Sequence, residues 1–230
     1  MSYTDFVNNN RSIFQPKDQF RIMTYNVEGF KNYDGILKVL EDSNSDIIGL
    51  NEALFFNDNL RSKFLNDMIR LRYNVKMCNN YGINVILSLY PINFSKVIKL
   101  EKDPIKNRNR YALHVKICNI NILLTHLDAF DSTGQTRFKQ IQTIGAYIKS
   151  DFIVMGDFNS IKGTNVINYL ELGFRDSFTI LGKDQPIMTS WTGKTIDFIF
   201  IGSSFPFRII ETAIYTSSAS DHVPVYIDLA

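Results

Sequence analysis

Apolar residues recur along this chain with two distinct spacings, and several of the runs end on a polar group. Phe20–Tyr25 is an apolar run that stops at Asn26, and Asp46–Leu50 is a second that stops at Asn51 and Glu52, so both read as strands. Between them Ile36, Leu37, Val39 and Leu40 fall at helical spacing over Asp34–Asp42, with Asp34 placed to cap. From Asn59 to Leu71 the residues Leu60, Phe64, Leu65, Met68 and Ile69 form one stripe, the mark of a surface helix facing a core. Tyr73–Met77 and Ile83–Leu89 predict two strands joined by a turn at residues 79–82, with Pro91 ending the second.

In the second half the alternation is cleaner. Tyr111–Ile117 and Ile120–Thr125 both alternate, and the apolar set passes from odd to even positions across Cys118-Asn119. That is the register shift a tight hairpin turn produces. Helical spacing returns over Thr136–Lys149 through Phe138, Ile141, Ile144 and Ile148. A buried run Phe152–Met155, a helical segment Asn165–Leu170 and two last strands, Ile196–Ile201 and Val223–Leu229, complete the pattern. Hairpins mixed among strand-helix-strand units, with no internal repeat, predict an α/β fold: a four-layer sandwich of two mixed β-sheets face to face with helices outside. Residues 1–19 read as a polar lead-in and residues 20–230 as one domain.

Composition narrows the classes. Lys and Arg total 25 against 23 Asp and Glu, a net charge of +2, so no global field draws the chain to a polyanion and any such attraction must be local. Two cysteines, Cys78 and Cys118, are too few for a disulfide framework and lie in no metal-ligand spacing. No run reaches the length of a membrane span, and the first residues carry no secretory pattern; a soluble, cytoplasmic protein is the expectation.

The chemistry sits where the strands stop: at Asn26, at Glu52, at His126, at Asp157 with Asn159, at Asp197, and at the Asp221-His222 pair. Unpaired charge at the end of a buried strand costs several kcal/mol, about 3–5 where one partner is missing, so packing alone does not call for it. This many together predict a site. The segments Thr24-Tyr25-Asn26-Val27, Leu50-Asn51-Glu52, Tyr81–Ser88, Leu124-Thr125-His126-Leu127, Gly156-Asp157-Phe158-Asn159, Thr195–Phe200 and Ser220-Asp221-His222-Val223-Pro224-Val225 occur in one order from residue 24 to residue 225. In that order they resemble the endonuclease/exonuclease/phosphatase superfamily, which includes deoxyribonuclease I-like and exonuclease III-like nucleases, tyrosyl-DNA phosphodiesterases and neutral sphingomyelinases.

The resemblance implies a metal-dependent phosphodiesterase. Glu52 would hold a divalent cation, Mg²⁺ with Mn²⁺ as the substitute, with Asn26 beside it and Asp221 as a further ligand, direct or through water. His222, oriented by Asp197, would act at the scissile phosphate as general base or as a charged stabiliser. Asp157 and Asn159, two apart on one side of an extended segment, would orient the attacking water and bond a phosphate oxygen. His126 would donate to the non-bridging oxygens. Arg137 and Gln140 share a helix face after His126, where related members carry the same Arg-x-x-Gln, and are candidates for substrate contact.

Two departures stand out: Asn51 occupies the place of the family's usual Gln, and Leu89 that of a common Arg. Other polar residues carry plainer expectations. His114 is structural, and Glu28 and Asp128 are solvated rim acids. Trp191 either packs in the core or stacks on a substrate ring. A basic stretch, Lys96–Arg110, reads as a Pro-containing loop whose Lys106, Arg108 and Arg110 would attract a polyanion if it borders the site. The leading substrate is nucleic acid, DNA or a nucleic-acid end. A phospholipid, in the manner of a sphingomyelinase, or a small phosphoester is the alternative, and a binding module without catalysis is the third reading.

Overall fold

A computed structural model describes residues 20–79 and 82–230. The polar lead-in and the centre of the 79–82 turn lie outside the described residues. In chain order the elements are β1 (Phe20–Asn26), a 3₁₀ turn (Glu28–Phe30), α1 (Tyr33–Asp42), β2 (Ile47–Leu54), α2 (Asp58–Arg70), β3 (Asn74–Asn79), β4 (Gly82–Ser88), β5 (Ile92–Leu100), β6 (Arg110–Ile117) and β7 (Ile120–His126). Then follow α3 (Gln135–Tyr147), β8 (Phe152–Asp157), α4 (Asn165–Glu171), β9 (Phe174–Asp176), α5 (Ser177–Ile180), β10 (Asp197–Gly202), β11 (Ile209–Ile214) and β12 (Val225–Leu229).

The strands make two mixed sheets of six, ordered β11-β12-β1-β2-β4-β3 and β5-β6-β7-β8-β10-β9. Period-2 alternation sorts their side chains into separate layers. Ile22, Ile47 and Ile86 of the first sheet meet Val115, Leu124, Met155 and Ile199 of the second in the central core. Their neighbours Met23, Tyr25, Ile48 and Leu50 point the other way, onto Ile36 and Leu40 of α1 and Phe64 and Met68 of α2. On the far side Leu123, Val154 and Phe200 pack under Ile141 and Ile144 of α3 and Ile167 of α4. Each such buried side chain contributes about 1.5–3 kcal/mol, so the four layers hold one another. The sheets approach closely at Gly49, where an added Cβ would lie 2.6 Å from Met155 Cε.

Register brings the polar strand ends together. In the first sheet Asn26 pairs with Asn51 and Asn51 with Asn84. In the second, His126 pairs with Asp157 and Asp157 with Asp197. The hairpin turn at Cys118 and Asn119 has the expected geometry, both residues at positive φ (48° and 65°).

The structure corrects several expectations. Asn32, not Asp34, caps α1: its side chain accepts from the Gly35 N–H at 3.1 Å. Ile69 leaves the apolar stripe of α2 and is 73% exposed, because the helix packs through buried Phe64 and Met68 with partly buried Leu60 and Leu65 beside them. The basic stretch is not one loop. Lys96 and Lys99 lie on the edge strand β5, with Lys96 over the Tyr147 ring, and only residues 101–109 form a loop. Strands β5 and β11 are sheet edges, where charged residues interrupt the apolar run that marks a central strand. Neither cysteine is in a disulfide, and among the described residues no helix is long and apolar enough to cross a membrane.

Candidate active site

At one end of the sandwich the two polar rows face each other. The Asn26 amide bridges them, donating to Asp157 Oδ2 at 3.1 Å and to Glu52 Oε1 at 3.2 Å. Asn51 is wholly buried and uses its whole amide: Oδ1 accepts the Asp157 main-chain N–H at 2.9 Å, while Nδ2 donates to Asn84 Oδ1 and to the Thr125 carbonyl. That reach needs Gly156, at φ +136°, where a Cβ would stand 1.9 Å from the Thr125 oxygen and 3.1 Å from Asn51 Oδ1. The shorter amide at position 51 therefore fixes Asp157 rather than Glu52.

Glu52 owes its direction to a bulge. The β2–β4 register slips between Asn51 and Ala53, and Glu52 takes a left-handed φ of 53°. A bulge re-aims a side chain, here at the cost of about 1–3 kcal/mol of backbone strain. The carboxylate ends 3.7 Å from His126 Nε2, and its side chain is 37% exposed, open to solvent on its outer side.

His126 is buried between opposite influences. Arg110 Nη1 lies 3.3 Å from its Nδ1, and Arg110, always a donor, makes Nδ1 the acceptor. The ring proton is then on Nε2, a buried atom with no hydrogen-bond partner among the described residues, 3.6 Å from Asp157 Oδ2. Burial, with the charges of Arg110 and His222, holds this imidazole well below its ordinary pKa, so it is neutral. A neutral Nε2–H without an acceptor is what an arriving phosphoryl oxygen would engage.

His222 is the opposite case. A loop clamps it: the Val223 N–H donates to the Thr189 carbonyl and the Trp191 N–H to the Asp221 carbonyl, both at 2.8 Å. Its Nδ1 is 2.8 Å from Asp197 Oδ2, which also accepts from Thr189 Oγ1 at 2.7 Å. Burial opposes charge on the ring, but the Asp197 hydrogen bond and the charges of Asp197, Asp157 and Asp221 outweigh it and raise the imidazolium to about 9. Asp157 is pushed well above the usual carboxylate range by burial and by the Asp197 charge. His222 Nε2 faces it at 3.9 Å.

Two groups of residues compare as seats for a cation. Asp157, Asp197 and His222 bring ligand atoms within 4.8 Å of one another, all buried. There, however, Asp197 Oδ2 is taken by His222 and Thr189, and a ring that keeps its proton to about 9 is no ligand. Glu52 fits better: its side chain is 37% exposed and, among the described residues, its carboxylate accepts a hydrogen bond only from Asn26. Oxygen donors with room for water suit a hard divalent ion.

The other expected residues divide. Asn159 does not continue an extended segment with Asp157. It is left-handed, at φ 46°, and its N–H donates to Asp157 Oδ1 at 2.8 Å, so it follows the strand end as a turn. It borders a cavity of about 730 Å³ also lined by Arg137, Lys139 and Lys194. Gln140 is wholly buried and spends its amide on main chain, accepting from Asp128 N at 2.8 Å and donating to Glu101 O at 2.7 Å. That excludes the expected substrate contact and makes it a staple between loops. Arg137 Nη1 donates to the Asp128 and Asp131 carbonyls, each at 3.0 Å, bracing the same loop.

Trp191 is 61% exposed, so core packing is excluded. Asp128 is no rim acid: it is fully buried, accepts the Asp131 N–H at 2.7 Å and lies 3.9 Å from Arg110 Nη2. His114 is structural, 2.8 Å from the Tyr147 hydroxyl. Asn84 and Thr189 join the site without having been expected there, and Arg110 joins it as the partner of His126 rather than as one cation of a loop. Arg110 stands at the head of an alternating strand, β6, two strands from the Asp157 end of β8; Thr189 left no signal in the pattern.

Comparison with known proteins places this geometry. The family model described as "Endonuclease/Exonuclease/phosphatase family" matches residues 23–222. No curated protein sequence matches. The human Nocturnin catalytic domain with bound sulfate superimposes with a TM-score of 0.72 at 19% identity, covering 94% of this chain and 96% of that one. D. rerio TDP2 complexed with single strand DNA product gives 0.71 at 19% identity, over 93% and 100%. ANGEL2, a 2',3'-cyclic phosphatase, gives 0.69 at 13% identity, over 92% and 95%.

Proposed function

The chain belongs to the endonuclease/exonuclease/phosphatase family of metal-dependent phosphoester hydrolases, and from that premise we propose a Mg²⁺-dependent phosphodiesterase acting on nucleic acid. The observation that carries the chemistry is the unpartnered Nε2–H of His126 beside the Glu52 and Asp157 carboxylates, with protonated His222 on the other side of Asp157. Glu52, with Asn26 and Asp221, would hold the cation, Mn²⁺ being the substitute for Mg²⁺. Bound there, the metal supplies Lewis-acid polarisation of a phosphoryl oxygen.

The remaining work falls to the chain itself. His126 donates to a non-bridging oxygen as negative charge grows on it. Asp157, whose carboxylate accepts from the Asn26 amide and the Asn159 N–H and whose own N–H is held by the Asn51 side-chain oxygen, orients a water and takes its proton, which its raised pKa favours. His222, kept charged and oriented through Nδ1 by Asp197, stabilises the phosphorane-like charge with its Nε2–H beside Asp157. With Asp157 spent on activating a water, the reaction is direct in-line attack by that water.

Nucleic acid as substrate is supported by the local cationic surface at Lys106 and Arg108 and by the likeness to TDP2 bound to a DNA product. A lipid or apolar phosphoester has one observation in its favour, the loop that exposes Ile187, Met188 and Trp191. The test is hydrolysis of a panel with Mg²⁺, beside the Glu52→Ala variant: single- and double-stranded DNA, RNA, a 5′-tyrosyl-DNA end, sphingomyelin and an inositol phosphate. Turnover of nucleic acid that the variant lacks is expected. Turnover confined to sphingomyelin or inositol phosphate would overturn the nucleic-acid reading.

A further inference from the structure

Phe130 stands 37% exposed four residues beyond His126, on the loop that Gln140 and Arg137 brace. Three cations surround its ring: Lys106 Nζ at 5.7 Å, Arg108 Cζ at 5.7 Å and Arg110 Cζ at 6.0 Å from the centroid. Arg110 is the same guanidinium that meets His126, so one side chain separates the exposed ring from the catalytic row. Lys106 and Arg108 are exposed and form no ion pair with a described carboxylate.

This arrangement is built rather than loose. Asp103 is fully buried and accepts the N–H groups of Ile105 at 2.7 Å and Lys106 at 3.0 Å, while its own N–H donates to the Arg108 carbonyl. Those bonds shape the 101–109 loop into a turn that presents both cations. Gln140 then ties Glu101 of that loop to Asp128 of the Phe130 loop through one buried amide. The ring and the two cations are thereby held in one frame with His126.

Resting on the nucleic-acid reading above, we infer that Phe130, Lys106 and Arg108 form a platform for an unpaired nucleotide next to the scissile phosphate, the ring stacking on the base and the cations contacting the phosphates. The substrate class is therefore single-stranded nucleic acid. An aromatic face flanked by cations suits a strand whose bases are free, because every base has a face to stack. In a duplex those faces are already covered by neighbouring pairs. Stacking reads no base edge, so the platform is tolerant of sequence.

Binding of a labelled phosphorothioate single strand in Mg²⁺ tests this, using wild type, F130A, F130W and K106A/R108A. F130A is expected to weaken binding roughly tenfold and F130W to restore it. A strand made abasic throughout should bind wild type as weakly as the intact strand binds F130A. K106A/R108A should lower the slope of log affinity against log salt by about 1.4, two phosphates at about 0.7 each. Equal binding by F130A and wild type, or wild-type preference for duplex, would overturn the platform. Wild-type hydrolysis of bis(p-nitrophenyl) phosphate, run alongside, separates the two levels: turnover there with no effect of F130A rejects the platform alone. Absence of that turnover rejects the phosphodiesterase reading beneath it.

Discussion

Asn51 and Asp157 sit in different sheets, yet the Asn51 side-chain oxygen accepts the Asp157 main-chain N–H at 2.9 Å. The bond crosses the sandwich at the end that holds the proposed site and makes the position of Asp157 a property of both sheets. Asn51→Ala would strand the Asp157 N–H, the Thr125 carbonyl and Asn84 in a buried place. The expected loss is about 1–3 kcal/mol or more, read from the urea midpoint, with a drop in kcat that exceeds the change in KM. Wild-type stability in that variant would show that the cross-sheet bond does not position the acid.

His222 ties activity and stability to pH in one direction. Its folded pKa of about 9 lies above the ordinary 6.5, so the folded state holds the proton more tightly. The associated stabilisation, about 3 kcal/mol, is fully present below pH 6.5 and is lost as pH rises through about 9. Urea denaturation of the metal-free protein from pH 6 to pH 10 should show this fall (a working range of about four units). His222→Gln should flatten it, and should lower kcat by about 10²–10⁴.

Arg110 is expected to set the tautomer of His126. In Arg110→Gln the ring loses the second of the influences that depress its pKa, burial being the first, so the value should move up toward the ordinary one without reaching it. Imidazole ¹⁵N shifts would report both the move and a mixture of tautomers in place of Nε2–H. Activity should fall by about 10-fold or more, as one donor of the oxyanion type loses its alignment.

Gln140→Leu keeps the bulk of a fully buried side chain and removes both hydrogen bonds of the staple. Stability should drop by about 1–3 kcal/mol. Hydrogen exchange should quicken in residues 101–109 and 128–134 together, whereas exchange confined to α3 would mean that the two loops are held by something else.

Much of this was legible in the residues, and for a physical reason. Strands with both faces covered show as apolar runs, so their polar ends at Asn26, Asp157 and Asp197 stood out. Edge strands did not, because β5 and β11 face water along one side and carry Lys and Glu where a central strand carries Val or Ile. Spacing also says nothing about what lies opposite a charge. Asp128 read as a solvated rim acid and Arg110 as part of a basic loop, whereas in space the two lie together, buried beside His126. Gln140 was placed on the correct helix, but the loops closing over it were invisible.

The left-handed turn at Glu52 leaves a mark on how this chain can change over time. A residue with a Cβ is strained there, and glycine would relieve the strain while deleting the carboxylate. Glu52→Gly would thus relieve the backbone while removing the acid proposed to hold the metal, so folding by itself sets no preference for glutamate at position 52.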